Sequence, residues 1–311
     1  MPKIKFKMRN LFFILSIISL TLFSCDDGDI IDVELDFNDT FSSCEETDAV
    51  LYKTKNEPSE SLSIIISNFS INDVFEVGED NTFSVTKSGV LNYRTYSNAS
   101  INGNDLFCNL VPPSNILITN DFSSPCTVLL ETILTEDDGD GIPAEFEDIN
   151  DDGNLDNDDT DGDGIANYLD TDDDGDNVLT KNENIDPNED GNFEDAEDTD
   201  GDGTPDYLDN DDDGDGIPTR DEETASQDLN PANDITNSDI GPDYLNKDVA
   251  DNTVPKATAY RTHTIQQTFE VTSQILNFSI DILSQDVLNF GFLSGSGVNL
   301  TDTRQGEPVF N

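Results

Sequence analysis

Short runs of alternating apolar and polar residues lie toward both ends of the chain, and this period of two predicts β-strands. In the first half, residues 62–71 and 127–134 form such runs. Residues 82–86 and 90–95 flank a Lys-Ser-Gly triplet that is typical of a hairpin turn. We therefore predict a mainly β fold, with an antiparallel β-sandwich-like domain over residues 25–135.

The C-terminal region, residues 246–311, begins as a polar linker and continues as a short β segment. Its strand-like positions are residues 263–272, then Leu276, Phe278, Ile280 and Ile282, and finally Leu288, Phe290 and Phe292. About 50 residues are few for an independent hydrophobic core. Two arrangements therefore stay open: a separate β segment, or strands that complete the N-terminal sheet.

The middle of the chain, residues 136–245, follows a different period, and we call it the acidic array. It contains seven copies of a twelve-residue pattern with Asp, Glu or Asn at positions 1, 3 and 5 and an acidic residue at position 12. Position 6 is Gly in six copies and Asn177 in the fourth. The copies begin at Glu136, Asp148, Asp159, Asp172, Asp186, Asp198 and Asp211.

This spacing is typical of a calcium loop, because Ca²⁺ takes roughly six to eight oxygen ligands and a tight loop directs alternate side chains inward. Gly, or Asn as the next best residue, permits a positive φ at position 6. A disordered acidic tract is the alternative, since dense like charge usually stays solvated. The fixed phase of the glycines favours ordered loops over that alternative.

Charge couples the folding of the acidic array to cation binding. Residues 136–223 carry 38 acidic residues against two basic ones, Lys181 and Arg220. These carboxylates repel one another without a cation, so we expect the array to be expanded when metal-free and compact with Ca²⁺. The formal net charge of −54 excludes nucleic acid as a partner, because phosphate would be repelled.

Two stretches of the array resemble a known family. Residues 159–183 read DTDGDGIANYLDTDDDGDNVLTKNE, and residues 198–222 repeat them as DTDGDGTPDYLDNDDDGDGIPTRDE at an offset of 39 residues. They resemble the thrombospondin type 3 repeats in their bacterial form. An EF-hand is excluded, because successive loops begin 11 to 14 residues apart and leave no room for flanking helices.

The resemblance implies loops with little regular secondary structure around a row of about seven Ca²⁺ ions. It implies side-chain ligands at positions 1, 3, 5, 9 and 12, with Ala144 at position 9 of the first loop as a departure. Residues 239–245 (DIGPDYL) are similar to the GTPDYLD part of the repeat but lack the acidic residues that come before it, and they are interpreted as a decayed end cap. The implied ligands are Glu136, Asp138, Asp140, Glu147, Asp148, Asn150, Asp152, Asp156, Asp159, Asp161, Asp163, Asn167, Asp170, Asp172, Asp174, Asp176, Thr180, Glu183, Asp186, Asn188, Asp190, Glu194, Glu197, Asp198, Asp200, Asp202, Asp206, Asp209, Asp211, Asp213, Asp215, Thr219 and Glu222.

Residues 1–24 resemble a bacterial lipoprotein signal peptide, with a basic start and an apolar stretch too short to be read as a transmembrane helix. Cys25 stands at the lipidation position, which implies a lipid anchor in the outer membrane. Asp26 and Asp27 resemble the surface-display signal of Bacteroidota lipoproteins, although in a proteobacterial cell they would indicate inner-membrane retention. An ordinary secretory signal is the alternative.

Three cysteines remain after such processing, Cys44, Cys108 and Cys126. An exported chain can form disulfides, and a bond between Cys108 and Cys126 would close a loop of about 18 residues, worth about 3 kcal/mol. Cys44 would then be left over. The sequence leaves the connectivity open, and the odd count argues against a disulfide framework.

No catalytic motif is present in the sequence, and its one histidine, His263, is interpreted as structural or exposed. We expect a non-enzymatic, calcium-binding surface lipoprotein, structural or adhesive, whose array is a calcium-stiffened spacer toward an extracellular protein or glycan. A glycan-binding β-sandwich lipoprotein is the alternative. The absence of Trp disfavours it, because sugar rings stack on flat aromatic side chains.

Overall fold

The computed structural model describes residues 35–44, 48–223, 227–249, 253–280, 287–295 and 298–310. The predicted signal peptide, Cys25 and the strand position Ile282 lie outside the described residues. Within the part that is described, none of the helices has the length and apolar character needed to cross a membrane.

Strands from both ends of the chain form one sheet. They are β1 (Thr40–Cys44), β2 (Ala49–Asn56), β3 (Ser59–Ile66), β4 (Thr82–Tyr96), β5 (Ile118–Asp137), β6 (His263–Leu276), β7 (Val287–Leu293) and β8 (Thr301–Gly306). The order β5-β4-β3-β2-β1-β7-β6 closes through pairing of β6 with β5, so seven strands form a β-barrel. β8 pairs with the first half of β6.

The mainly β prediction is confirmed, but the sandwich is wrong. A sandwich needs two separate sheets, whereas β5 here pairs along its length with β4 on one side and with β6 on the other. The sheet therefore closes on itself around an apolar interior, in which Leu51, Ile64, Val128 and Phe290 are fully buried.

The C-terminal strands complete the N-terminal sheet, which decides between the two arrangements left open. β6 pairs with β5, and β7 pairs in parallel with β1. The boundary that set residues 246–311 apart from residues 25–135 therefore does not separate two folded units. The acidic array is an insertion between β5 and β6, and its ends lie side by side because Asp137 pairs with Gln266.

The strands predicted at residues 82–86, 90–95 and 288–292 are present, but two local details differ. The triplet at 87–89 is not a turn but lies inside β4, opposite Val128, Thr127 and Cys126. Gly89 is needed there for space, since a Cβ would lie 3.0 Å from Val128 Cγ2 and 3.1 Å from the carbonyl oxygen of Ile65. In β7, Gly291 has a φ of 82° and the alternation shifts, so that Phe292 is exposed.

The helices in the described residues are all short. One α-helix, α1 (Gly103–Phe107), and the 3₁₀ helix Ile71–Phe75 belong to the barrel. Within the described array the regular elements are three-residue 3₁₀ turns, which agrees with the expected lack of regular structure. These turns are Ala144–Phe146, Leu155–Asn157, Asn167–Leu169, Thr180–Asn182, Phe193–Asp195, Asp206–Leu208, Thr219–Asp221, Pro231–Asn233 and Asp243–Leu245.

The disulfide joins Cys44 to Cys108, with 5.3 Å between their Cα atoms, and Cys126 is a buried free cysteine. The Cys108–Cys126 pairing is therefore wrong. Cys126 lies on β5 with its side chain in the barrel core. Cys108 instead follows α1, which is held beside β2 by stacking of Phe107 on Tyr52 at 5.0 Å.

The double substitution Cys44→Ser and Cys108→Ser should lower the free energy of unfolding by about 4 kcal/mol, because the bond spans 64 residues of sequence. Denaturant unfolding with and without reductant measures this loss. The Cys126→Ser variant should keep its sensitivity to reductant. A Cys126→Ser variant that is insensitive to reductant would mean that Cys126 forms the disulfide.

Candidate metal centres

A recurring set of hydrogen bonds shapes the loops of the array. In the six loops after the first, the position-1 carboxylate accepts from the N–H of position 6, as when Asn177 donates to Asp172 Oδ2 at 3.0 Å. The residue at position 6 has a positive φ in all seven loops, from 72° at Asn177 to 113° at Gly141. The predicted turn at this position is confirmed.

The central cluster consists of Asp174, Asp176, Glu183 and Asp212, all buried, with ligand oxygens within 4.8 Å of one another. Backbone N–H groups fix one oxygen of Asp174, at 3.2 Å, and one of Asp176, at 2.6 Å. Asp174 Oδ2, Asp176 Oδ2, Asp212 Oδ2 and both oxygens of Glu183 are buried with no partner among the described residues. The loop therefore turns unpaired oxygens toward one point.

The first cluster repeats this arrangement with Asp138, Asp140, Glu147 and Asp173. The N–H of Asp140 donates to Asp138 Oδ1 at 2.9 Å, which leaves Asp138 Oδ2 buried without a described partner. Both oxygens of Glu147 and both of Asp173 are buried in the same way.

A third set follows the central cluster at the 39-residue offset of the sequence repeat and comprises Asp213, Asp215 and Glu222. Asp213 Oδ2, Asp215 Oδ2 and both Glu222 oxygens are buried and have no partner among the described residues. The same pattern of buried, unpartnered carboxylate oxygens thus occurs in the first, fourth and seventh loops. In the fourth and seventh, the position-1 residues Asp172 and Asp211 add one buried oxygen each.

Two of these clusters are completed by a residue from another loop. Asp173 lies at position 2 of the fourth loop but joins the first cluster, and Asp212 lies at position 2 of the seventh loop but joins the central cluster. Sequence reasoning missed both residues because it assigned ligands loop by loop. Their common place in the 39-residue repeat was the available signal.

Without a cation, the burial of ionised carboxylates in these clusters destabilises the folded array. Burial and the neighbouring carboxylates raise the pKa of Asp138 to about 10, of Glu147 to about 9 and of Asp212 to about 9. Burial first, and nearby acids second, raise the pKa of Asp174 and of Glu183 well above their ordinary values. A divalent cation would remove this penalty by replacing lost water and repulsion with ligation.

The side chains at position 9 form hydrogen bonds with position 2 in four of the loops. Thr180 Oγ1 accepts from the N–H of Asp173 at 3.2 Å, and Asp206 accepts from Thr199 at position 2 of its loop. Asn167 binds Thr160 and Thr219 binds Asp212 in the same way. In these four loops, position 9 therefore clamps the loop to its position 2, and its role as a ligand stays a prediction.

Glu136 is bound by barrel residues, because β5 continues through it. Arg304 on β8 donates to both of its carboxylate oxygens, at 2.7 and 2.8 Å, and Gln267 donates to one of them at 2.7 Å. The first loop thus begins at Asp138 in structural terms. Glu136 instead fastens the start of the array to the barrel.

The second and fifth loops are more open. Asn150 donates to Asn157 and Asp158, and Asn188 donates to Asp195. The fifth loop gathers Asp186, Asp190 and Asp195, of which Asp195 was not predicted. Three predicted ligands of the fifth loop lie outside this group of aspartates: Asn188 serves as a donor, Glu194 is exposed, and Glu197 accepts from Asn184. In the second loop, Asp156 accepts from the hydroxyl of Tyr168.

The remaining predicted ligands have mixed positions. Asp159, Asp161 and Asp163 form a group in the third loop. Asp148, Asp198, Asp200 and Asp202 accept backbone N–H bonds within their own exposed or half-buried loops, as do Asp152 and Asp209. The decayed repeat has the same clamp. The backbone N–H and the hydroxyl of Thr236 each donate to a carboxylate oxygen of Asp243 at 2.7 Å.

His263 is buried, and it starts strand β6. Its Nδ1 lies 2.5 Å from Asp170 Oδ1 and 3.2 Å from the backbone nitrogen of Thr171. Burial lowers the pKa of His263, but the hydrogen bond and the charge of Asp170 outweigh it, so that the pKa is raised. The third loop and the barrel meet at this residue.

The Gly175→Ala substitution should destabilise the calcium-loaded array more than Gly153→Ala. Both glycines have a positive φ, which costs an alanine about 1 kcal/mol. At Gly175 the added Cβ would also lie 2.2 Å from Asp161 Oδ2, whereas nothing lies within 4 Å at Gly153. Denaturant unfolding in calcium compares the two, and equal losses would contradict the packing of the third loop on the fourth.

One protein family matches part of the chain. The family described as BamM C-terminal matches residues 137–195, which is under a fifth of the chain and covers nearly all of the first five loops of the array. Searches among curated proteins and among solved structures give no match.

Proposed function

We propose that this protein binds Ca²⁺ in the acidic array and that the bound ions hold the array in its folded form. The observation that carries this proposal is the convergence of buried, unpartnered carboxylate oxygens in the central cluster and its two homologous sets. These sets contain only oxygen ligands. Hard cations with flexible coordination, Ca²⁺ above all, favour such ligands.

The proposed role is structural or adhesive, but the array does not act as a spacer between two domains. It leaves the barrel at β5 and returns beside it at β6, so calcium would stiffen a lobe fixed to the barrel. The exposed second, fifth and sixth loops would face an extracellular protein or glycan. The match to the BamM C-terminal family supports an association with the outer membrane, and a lipid on Cys25 would provide the anchor.

Thermal unfolding in chelator, in magnesium and in calcium tests the proposed metal. Calcium should raise the unfolding midpoint by a concentration-dependent amount, since a ligand that binds only the folded state stabilises it. Magnesium should act weakly, because it dehydrates reluctantly and requires octahedral geometry. Equal midpoints in chelator and calcium would refute the proposal, and protease treatment of intact cells would test surface exposure separately.

A glycan-binding function is the second candidate, and one cleft favours it. The cleft of about 480 Å³ at one end of the barrel is lined by Phe75, Phe269, Gln267, Asn299 and Asp302, among others. The two rings are in edge contact at 5.2 Å and could flank a sugar, with amide and carboxylate groups available for its hydroxyls. Specific capture on a glycan array, abolished by Asp302→Ala, would support this candidate.

A further inference from the structure

The junction between the third loop and the barrel has a ligand set unlike the rest of the array. Asp163 and Asp170 come from the loop, and His263, the one histidine of the chain, comes from β6. One carboxylate oxygen of each aspartate and a ring nitrogen of His263 lie within 4.8 Å of one another, and all three residues are buried.

Two atoms at this junction lack a partner. The N–H of Ile165 donates to Asp163 Oδ1 at 2.7 Å, while Asp163 Oδ2 is buried with no partner in the described part of the chain. On the ring of His263, Nδ1 is held by Asp170 and Thr171, while Nε2 is buried and has no described partner. Buried polar atoms usually have a hydrogen-bond partner or a bound ion, so these two unpaired atoms indicate a site for a ligand.

We propose that Asp163 and His263, with Asp170 holding the imidazole ring in place, form a binding site for a transition-metal dication of the Zn²⁺ type. Imidazole is a common ligand of Zn²⁺ and similar ions, whereas Ca²⁺ sites are built from oxygen. Metal-binding imidazoles are usually held through one ring nitrogen by a carboxylate or carbonyl, as Asp170 holds this ring. The third loop therefore differs from its neighbours in metal preference.

The position of the site gives the ion a second effect. Asp163 and Asp170 belong to the array, and His263 belongs to a barrel strand, so the ion would cross-link the two parts of the molecule. The third loop already contacts the C-terminal tail, because the N–H of Val309 donates to the carbonyl of Asp163 at 3.1 Å. Binding of the ion would therefore strengthen a contact between the array and the barrel region that a backbone hydrogen bond already makes.

Cobalt absorption of the full mature chain, in millimolar calcium, tests the site. Co²⁺ substitutes for Zn²⁺ and gives visible bands that respond to nitrogen ligation and low coordination number. We expect one equivalent of Co²⁺ to produce such bands and Zn²⁺ to remove them. Both His263→Gln and Asp163→Asn should weaken Co²⁺ binding about tenfold or more.

The Asp151→Asn variant is the matched control, because Asp151 is exposed and is not a predicted ligand, and it should leave the bands unchanged. Asp163→Asn changes a loop residue and not a residue of strand β6. It therefore still tests the metal site if His263→Gln does not fold. A wild-type spectrum like that of hydrated Co²⁺, or bands that survive in both variants, would overturn the proposal. Calcium-dependent stability is measured independently, so that failure here leaves the calcium proposal standing.

Discussion

Removal of calcium by a chelator should unfold the acidic array while the barrel stays folded. The central cluster and its homologous sets place several carboxylates in contact without counter-charge, and each ion would cancel two negative charges. The barrel has its own apolar core, to which the array clusters contribute nothing. Hydrogen exchange should therefore show loss of protection across residues 138–245 and retained protection in β2, β3 and β4.

Magnesium at the same concentration is the matched control for ionic strength and divalent charge. It should restore little of the lost protection. Protection of the array that is equal in chelator and in calcium would contradict the coupling of binding to folding. Loss of protection in the barrel as well would mean that the array and the barrel unfold as one unit.

Replacement of Glu183 by Gln should abolish tight binding at the central cluster, because it removes the charge of a fully buried ligand. We expect a loss of about a hundredfold in affinity at that site, at the upper end of effects seen near metal centres. Asp212→Asn should weaken the same site, although Asp212 lies in the seventh loop. Calcium titrations of the two variants should therefore lose the same ion.

Glu145→Gln is the matched control, since Glu145 is exposed and lies outside the clusters. The double variant Glu183→Gln/Asp212→Asn should lose no more ions than either single variant. Loss of two separate ions in the double variant would mean that the loops bind independently. The sharing of residues between loops would then be wrong.

Local features of the array could be predicted from the sequence because they depend on single residues. A position that needs a positive φ selects Gly or Asn, and all seven such positions were identified correctly. Alternate acids directed inward were also identified, as Asp174 and Asp176 show. These features need no knowledge of how one loop packs on the next.

Features that depend on packing could not be predicted in this way. Asp173 and Asp212 complete sites of other loops, and nothing in a loop considered alone indicates this. Position 9 was assigned as a ligand from the family resemblance, which did not indicate that its side-chain oxygen accepts from the backbone N–H of position 2. Likewise, Gly89 and its neighbours fit a turn locally, and only the long partner strand β5 makes them part of β4.

Calorimetric titration of the mature protein with Ca²⁺ tests the central claim most directly, with the triple variant Glu147→Gln, Glu183→Gln and Glu222→Gln alongside. We expect the wild type to take up several ions, and the triple variant to lose three of them, one from each homologous set. No heat of calcium uptake by the wild type, or an unchanged stoichiometry in the triple variant, would contradict the account.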